Sequence, residues 1–402
     1  MTKKLFHHNS YQIDFQAKIV DKYTDNGKYV LILNQTIFYP NAGGQTCDSG
    51  TINGIPIVEV QEVDGNILHY LPDEVNANTG ETVSGKIDWK KRFDHMQQHT
   101  GQHILSGALM DLWQKETLSF HMGEENCTLD ITFTSLDHDR VEILESIVNR
   151  IIFENRPIQN YYVEDNHIIA KKGLRKFQKL SEKLRIIDID KFDVTACGGT
   201  HCRFTGEVGM IKIAGWENRK DKIRITFLCG YRALADYQQK HLVTKNLSNM
   251  LTTGVNQLEE KIIQLNREQM RLSKEYSRIE KRLLQFEVEE LKESNTMKQK
   301  GLLIVSKLFS EKSLQSLKQM ALILSNQKKS LVILGAENPE PAICLSCSQD
   351  LSFSMGGLMK KIMAEYNGKG GGSDFMAMGK LAKSDDIRKV FKRSNDLLLQ
   401  SL

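Results

Sequence analysis

Asp94-His95-Met96-Gln97-Gln98-His99-Thr100-Gly101-Gln102-His103 and Ala196-Cys197-Gly198-Gly199-Thr200-His201-Cys202-Arg203 are the two stretches on which the reading of this chain turns. In the first, His95, His99 and His103 recur four apart. Four residues is one helical turn, so neighbouring imidazoles share a face. Two imidazoles on one face can bind one Zn2+ at ~2.0–2.1 Å each. Three in a row are not equally placed around one ion, so one of them stands outside the set. In the second stretch, Cys197 and His201 are again four apart, joined by Gly-Gly-Thr. Cysteine and histidine are preferred zinc ligands, and glycines let a tight loop bring both to one point. Singly, the first stretch reads equally as a solvated polar helix face and the second as a β-turn with incidental thiols. Together they supply a tetrahedral set. A closed four-ligand site is commonly structural, whereas a catalytic one needs a loose ligand or an activated water, and the residues alone leave that choice open.

Upstream, a third stretch reads Phe38-Tyr39-Pro40-Asn41-Ala42-Gly43-Gly44-Gln45-Thr46-Cys47-Asp48-Ser49-Gly50. Adjacent glycines permit close backbone approach, and Asp48-Ser49-Gly50 is a turn signature. On its own it is a hairpin corner. It lies among β-rich segments (Gln12 to Tyr23, Lys28 to Asn34, Ile55 to Val63, Ile67 to Tyr70, Glu81 to Ile87) punctuated by Gly27, Gly50, Gly54, Gly65 and Gly80. Such punctuation predicts a small β-barrel or sandwich over residues 1–88. At Trp89 the pattern becomes helical, with Phe93, Met96, Ile104, Leu105, Ala108, Leu109 and Leu112 on a helical spacing. Strands and one more helix, Asp139 to Glu154, follow, so residues 89–235 read as an α+β domain holding the metal motifs.

Residues 236–296 read as a helical, coiled-coil-like spacer. One seam is Leu251, Leu258, Leu265, Leu272, Ile279 and Phe286, the other Val255, Ile262, Gln269, Tyr276 and Leu283. Alternating steps of four and three make a heptad stripe, which can pair two chains or fold back within one. Leu251-Thr252-Thr253-Gly254 is expected to break it from a shorter helix before it. Residues 297–402 begin a new α/β pattern: apolar runs at Leu302 to Ser306, Leu331 to Gly335 and Ile343 to Cys347, a helix at Met355 to Tyr366, then Gly368-Lys369-Gly370-Gly371-Gly372 and a final helix. Cys344 and Cys347 sit in an apolar strand without a second such pair, and read as buried packing residues. Met355, Met359 and Met363 read as one apolar helix face. The fold class expected is therefore α+β multidomain.

Composition sets outer bounds. At roughly 150 residues per domain, 402 residues make two or three domains. A hydrophobic fraction of 40% and a charged fraction of 26% are those of a globular protein. The formal net charge is only +4, so any nucleic-acid surface must be local. No apolar run approaches the ~20 residues of a membrane helix, and the first residues lack a secretory core, so the expected location is cytoplasmic. Seven cysteines, an odd number in a long chain, point to reduced thiols or metal ligands rather than a disulfide framework.

The three motifs, taken in this order, resemble the AlaX family, freestanding relatives of the editing domain of alanyl-tRNA synthetase. The HTxxH element is His99-Thr100-Gly101-Gln102-His103, the CxxxH element is Cys197-Gly198-Gly199-Thr200-His201, and Gly43-Gly44-Gln45 is the GGQ stretch of the N-terminal barrel. Gly368 to Ala377 looks like the glycine motif of the DHH-associated domain, which ends the long AlaX proteins. The resemblance covers nearly the whole chain. It implies one Zn2+ per chain held by His99, His103, Cys197 and His201, with His95 outside the set. It implies hydrolysis of the ester that joins serine or glycine to alanine tRNA, in trans and without ATP. Water attack on that carbonyl passes through an oxyanion that the site must stabilise. Gln102 and His121, the latter in Ser119-Phe120-His121-Met122-Gly123, are the candidates to line the pocket. A pocket built to bond the serine hydroxyl would reject alanine by leaving its own polar groups unpaired.

For tRNA(Ala), one candidate surface is the basic run Lys171, Lys172, Arg175, Lys176, Lys179, Lys183 and Arg185, since phosphate contacts give affinity without sequence reading. The other is the glycine loop of Lys369, Gly370, Gly371 and Gly372 with Lys360, Lys361 and Lys380, where glycine-rich amides can cradle phosphate. A homodimer through the spacer or the C-terminal domain is compatible with the heptad. Two competing readings use the same residues: a zinc hydrolase of small esters or amides, and a non-catalytic tRNA-binding protein with a structural zinc.

Overall fold

The computed structural model describes residues 1–133, 135–164, 184–294, 296–338, 340–381 and 387–400. They pack as two compact units, Met1–Met250 and Leu251–Leu402. The division at 250/251 coincides with none of the boundaries expected at 88/89, 235/236 and 296/297, and falls within the expected spacer 236–296.

The first unit opens with a short parallel pair, β1 (Lys3–Lys4) and β4 (Gln35–Thr36). An antiparallel sheet follows, made of β2 (Asp14–Asp25), β3 (Lys28–Leu33), β5 (Gly50–Ile52), β6 (Ile55–Pro56), β7 (Glu59–Val63), β8 (Asn66–Leu71) and β9 (Thr82–Ile87), in the order β6-β5-β9-β2-β3-β8-β7. Asn26-Gly27, Asn53-Gly54 and Asp64-Gly65 close its three two-residue hairpins, all six residues at positive φ. Such turns match the twist of the strands they join. Phe15, Ala17, Ile19, Leu31, Leu33, Ile52, Ile67 and Val83 meet in one core. Among the described residues no pairing joins β6 to β7, so the expected barrel is, in its hydrogen bonding, an open sheet.

Helix α1 (Trp89–Trp113) crosses from this sheet into a second core. Around it stand the sheet β10 (Thr117–Met122), β11 (Cys127–Ile131), β16 (Lys222–Cys229), β15 (Ile211–Arg219), in that order, helix α2 (His138–Phe153), and the sheet β12 (Ile158–Val163), β13 (Leu184–Ile189), β14 (Asp193–Ala196). One buried ion pair ties α1 to the first sheet: Arg92 meets Asp48, both side chains fully buried. Arg92 also donates to the carbonyls of Ser10 at 2.9 Å and Ile37 at 2.6 Å, so the charge is not left unpaired. Asp48, read from sequence as a turn residue, is thus an anchor. Helix α3 (Gly230–Leu251) closes the unit.

In the second unit, helix α4 (Leu258–Ser294) buries Leu284, Val288 and Leu291 against helix α5 (Leu314–Ser325) and the sheet. The sheet runs β17 (Thr296–Gln299), β18 (Leu302–Glu311), β19 (Ser330–Asn338), β20 (Ala342–Cys347), β22 (Met376–Lys380), β21 (Lys369–Gly372), with only β18 and β19 parallel among the described pairs. Helices α6 (Met355–Glu365) and α7 (Ile387–Gln400) cover its other face, with Met355, Met359 and Met363 buried. Cys344 and Cys347 are buried thiols in β20. The helix break at Leu251 to Gly254 is present, and the heptad seam of α4 is exposed within the chain: Leu272 is 53% accessible, Ile279 65% and Phe286 72%. Among the described residues no helix is long and apolar enough to cross a membrane.

Candidate metal centre

The Asp88 carboxylate starts α1 by accepting from the Lys90 and Lys91 amides at 3.0 and 3.3 Å, which satisfies N–H groups a helix start leaves open. From His95 to Leu109 the helix is buried without a break, so its polar side chains must find partners inside the protein. Gln98 Oε1 accepts from the Cys229 amide at 2.9 Å and its Nε2 donates to the Cys229 carbonyl at 3.0 Å. Gln97 Nε2 donates to the Glu207 carbonyl at 2.9 Å. The Gln98 bonds lock α1 to β16, the Gln97 bond ties it to the turn at Glu207, and together they set the rotation of the histidine face. Gly101 lies where a Cβ would fall 2.2 Å from Cys229 Sγ, so that position of the motif takes no side chain.

The loop after β14 brings the second pair of donors to this face. Gly199 sits against the His99 ring, where a Cβ would be 2.1 Å from Cε1. Beneath the loop, buried Arg185 of β13 donates from Nη1 to the carbonyls of Cys197 and Gly199, both at 2.8 Å. The donor atoms of His99, His103, Cys197 and His201 all lie within 4.8 Å of one another. Cys197 Sγ is 3.3 Å from His99 Nε2 and 3.4 Å from His201 Nε2. Ligands at ~2.0–2.3 Å around one tetrahedral ion stand roughly that far apart. These four residues can hold a metal ion.

Each imidazole turns its other nitrogen to an oxygen. His99 Nδ1 is 2.7 Å from Gln45 Oε1, His201 Nδ1 is 3.3 Å from Thr100 Oγ1, and His103 Nδ1 is 3.7 Å from Asp193 Oδ2. The Gln45 and Thr100 contacts are hydrogen bonds of the kind that fix ring orientation and tautomer, while the Asp193 oxygen stands beyond hydrogen-bond reach of His103. Gln45 Nε2 also donates to Thr200 Oγ1 at 3.0 Å, so one amide spans the helix and the glycine loop. Burial opposes ionisation of Cys197, but His99, His201 and His103 outweigh it and hold the thiol well below its usual range. Burial above all, with His99 and His103 nearby, drives His201 well below the ordinary imidazole range while the Cys197 charge opposes it. Both groups thereby stand in the state that binds a cation.

His95 lies one turn ahead and outside this cluster, with Nε2 3.2 Å from Thr46 Oγ1. Burial pushes it down to about 4. Gly43 and Gly44 both have positive φ, and the Gly44 carbonyl accepts from Met122 N at 2.9 Å, which carries Gln45 inward. Gln102 is buried and donates to Ser106 Oγ at 2.8 Å, and Ser106 in turn meets Thr117 Oγ1 at 2.7 Å. His121 is exposed, while its strand neighbours Phe120 and Met122 face the core, as alternation requires. The Phe120 ring lies 5.7 Å from that of His99. Lys172, Arg175 and Lys176 fall outside the described residues, as do Lys171, Lys179 and Lys183. Arg185, grouped with them in the sequence, is the clamp under the metal loop. Lys369, Gly370, Gly371 and Gly372 form edge strand β21 rather than a loop. Backbone pairing to β22 supplies that strand, and the missing side chains leave room for α6: a Cβ on Gly370 would meet Met363 Cγ at 2.8 Å. Arg185, Asp193 and Thr100 carried no ligand-like spacing; Thr100 lay inside the histidine motif, Arg185 was read as the end of the basic run, and Asp193 had no sequence signal.

Three family models match the chain. Residues 5–91 match "tRNA synthetases class II (A)", residues 184–226 "Threonyl and Alanyl tRNA synthetase second additional domain", and residues 301–400 the "DHHA1 domain". The chain is similar to "Alanyl-tRNA editing protein AlaX-L" of Pyrococcus horikoshii, 31% identical over 97% of either chain. It is 30% identical to "Alanine--tRNA ligase" of Methanococcus aeolicus over 97% of its own length, and spans 42% of that protein. For the ligase of Pyrococcus furiosus the figures are 29%, 98% and 43%.

Proposed function

Since the chain belongs to the AlaX family of alanyl-tRNA editing proteins, we propose that it is a trans-editing hydrolase that removes serine, and glycine as a second substrate, from mischarged tRNA(Ala) in the cytoplasm. The observation that carries this reading is the buried cluster of His99, His103, Cys197 and His201, with an oxygen behind each imidazole. Three imidazoles and one thiol suit Zn2+, one per chain. When bound, that ion supplies a fixed positive charge against which a water or the ester carbonyl is oriented.

The chain's own residues do the rest. Arg185 and Gln45 fix the loop and the helix relative to each other. Phe120 gives the cluster an apolar wall, which limits water around the ester and strengthens charge interactions there. Gln102, held by Ser106, is the group we assign to the serine hydroxyl, with His121 as an outer contact on the exposed side of its strand. Partner tRNA(Ala) is held by Lys172, Arg175, Lys176 and the Lys369 to Gly372 strand, and two copies pair through the α4 seam.

The test is ester loss from Ser-tRNA(Ala), Gly-tRNA(Ala), Ala-tRNA(Ala) and Ser-tRNA(Ser) without ATP. Loss from the two mischarged tRNA(Ala) species alone supports the full reading. Loss from both seryl-tRNAs keeps the amino-acid selectivity and removes tRNA(Ala) recognition. A closed four-donor set also favours a second reading, a tRNA-binding protein with a structural ion. Bound zinc and tRNA with no ester loss from any species establishes that one instead.

A further inference from the structure

Helix α4 carries cations that no part of the proposed function uses. Arg267, Arg271, Lys274, Arg278, Lys281 and Arg282 are all exposed. At 3.6 residues per turn they fall within an arc of about 100°. The apolar seam of Leu265, Leu272, Tyr276, Ile279 and Leu283 falls on the opposite side of the same helix. Glu268, Glu275 and Glu280 lie between the ends of the stripe but outside its arc, while Glu259 and Glu260 precede it and Glu287, Glu289, Glu290 and Glu293 follow it. Only Arg271 has a carboxylate within ion-pair reach among the described residues, Glu268 at 3.9 Å. The burial of Leu284, Val288 and Leu291 begins just beyond the stripe, so the folded sheet domain holds the rod by its C-terminal end and leaves the stripe open within this unit.

We infer that this stripe is an interaction surface for RNA, taking the phosphodiester backbone of the tRNA. A row of cations spaced by three and four residues advances roughly 5 Å per step and about 22 Å in all, a rigid ladder of the kind that follows successive phosphates. Arginine and lysine in such a row bind by charge and release counterions, without reading sequence. A membrane surface fits less well. A helix lying in a lipid interface buries its apolar face, and here that face is the heptad seam proposed to pair two copies. The inference rests on the editing reading for its partner, and makes α4 a tRNA-contacting element rather than a spacer.

The test uses the full chain with Arg271→Gln, Lys274→Gln and Arg278→Gln together. Glutamine is a good helix former, so the helix is kept, and an unchanged circular-dichroism melt checks this. Binding to deacylated tRNA(Ala) is measured from 50 to 300 mM salt (about the range over which counterion release is read). The expected result is a Kd at least about tenfold weaker, and a slope of log K against log salt reduced by about 2 to 3. A control with Lys18→Gln, Lys86→Gln and Lys90→Gln should leave the slope unchanged, and Arg271→Lys with Arg278→Lys should retain it. Tight wild-type binding with an equal slope in the triple variant overturns this inference and leaves the editing reading intact. Absence of wild-type tRNA binding overturns both. Salt-sensitive binding to anionic lipid vesicles that the triple variant loses, with tRNA binding unchanged, assigns the stripe to a membrane and overturns the RNA inference.

Discussion

Gln45 Oε1 stands 2.7 Å from His99 Nδ1, joining a loop of the N-terminal sheet to the first histidine of the four-donor cluster on α1. The contact makes His99 donate from Nδ1 and present Nε2 to Cys197. Gln45→Ala should remove that constraint and weaken zinc binding by about 10- to 100-fold. Gln45→Glu keeps an acceptor at the same reach and should lose less. Competition with a chromophoric chelator reads both, and equal zinc affinity in Gln45→Ala and wild type would show that the amide orients nothing.

Arg185 offers a second handle on the same loop. Its Nη1 serves two carbonyls, those of Cys197 and Gly199. Arg185→Met should leave both without their donor, at about 1–3 kcal/mol for each group left buried. The expected outcome is faster zinc release and a lower melting temperature. A variant that kept wild-type zinc retention but lost tRNA affinity would return Arg185 to the phosphate-binding role its sequence neighbours suggest.

His69 sets a pH dependence away from the metal. It is fully buried, with Nε2 2.9 Å from Thr36 Oγ1 and Nδ1 3.1 Å from the Leu31 carbonyl. Burial pushes it down from 6.5 to about 4, only partly opposed by the Leu31 bond. Between those values the unfolded chain takes a proton that the folded chain refuses, so stability is full above pH 6.5 and falls as pH drops toward 4. The loss is about 3 kcal/mol at 1.36 per unit. His69→Gln should flatten this part of the curve. Denaturant titrations of both proteins at a series of pH values measure it, and parallel curves would exclude His69 as the source.

The exposed seam of α4 makes an expectation about assembly. Leu272→Glu with Ile279→Glu puts charge at the centre of the heptad stripe and should convert a dimer to a monomer. Sedimentation velocity of wild type and variant at micromolar concentration reads the change. A monomeric wild type would show that the seam pairs no second copy.

How far the sequence carried these conclusions depends on what kind of information each needed. The four donors were legible because their spacing is local: His99 and His103 lie one helical turn apart, and Cys197 and His201 bracket a loop too short to separate them. The heptad of α4 and the break before it were legible for the same reason. Gln45, Arg185 and Asp193 act across long stretches of chain, and no local pattern states which distant group a side chain will reach. Arg185 was grouped with the basic run before it because charge is read along a chain, while its burial is decided by the loop that folds over it. Asp48 looked like a turn residue until Arg92 met it. The glycines of β21 read as a loop because strand propensity is carried by side chains they lack, whereas their pairing is made by backbone alone. Phe120 and His121 could have been separated in advance by strand alternation, which puts only one of them on the core side.

The donors also have a topological consequence. Cys197 and His99 are 98 positions apart in the chain, so an ion shared between them would close a loop of that length much as a disulfide does. A cross-link over about 100 residues limits the unfolded chain by about 4.7 kcal/mol in the chain-entropy view. Removal of such an ion should therefore loosen the fold of the first unit. During synthesis the donor set is complete only once His201 has emerged, about a hundred residues after His99.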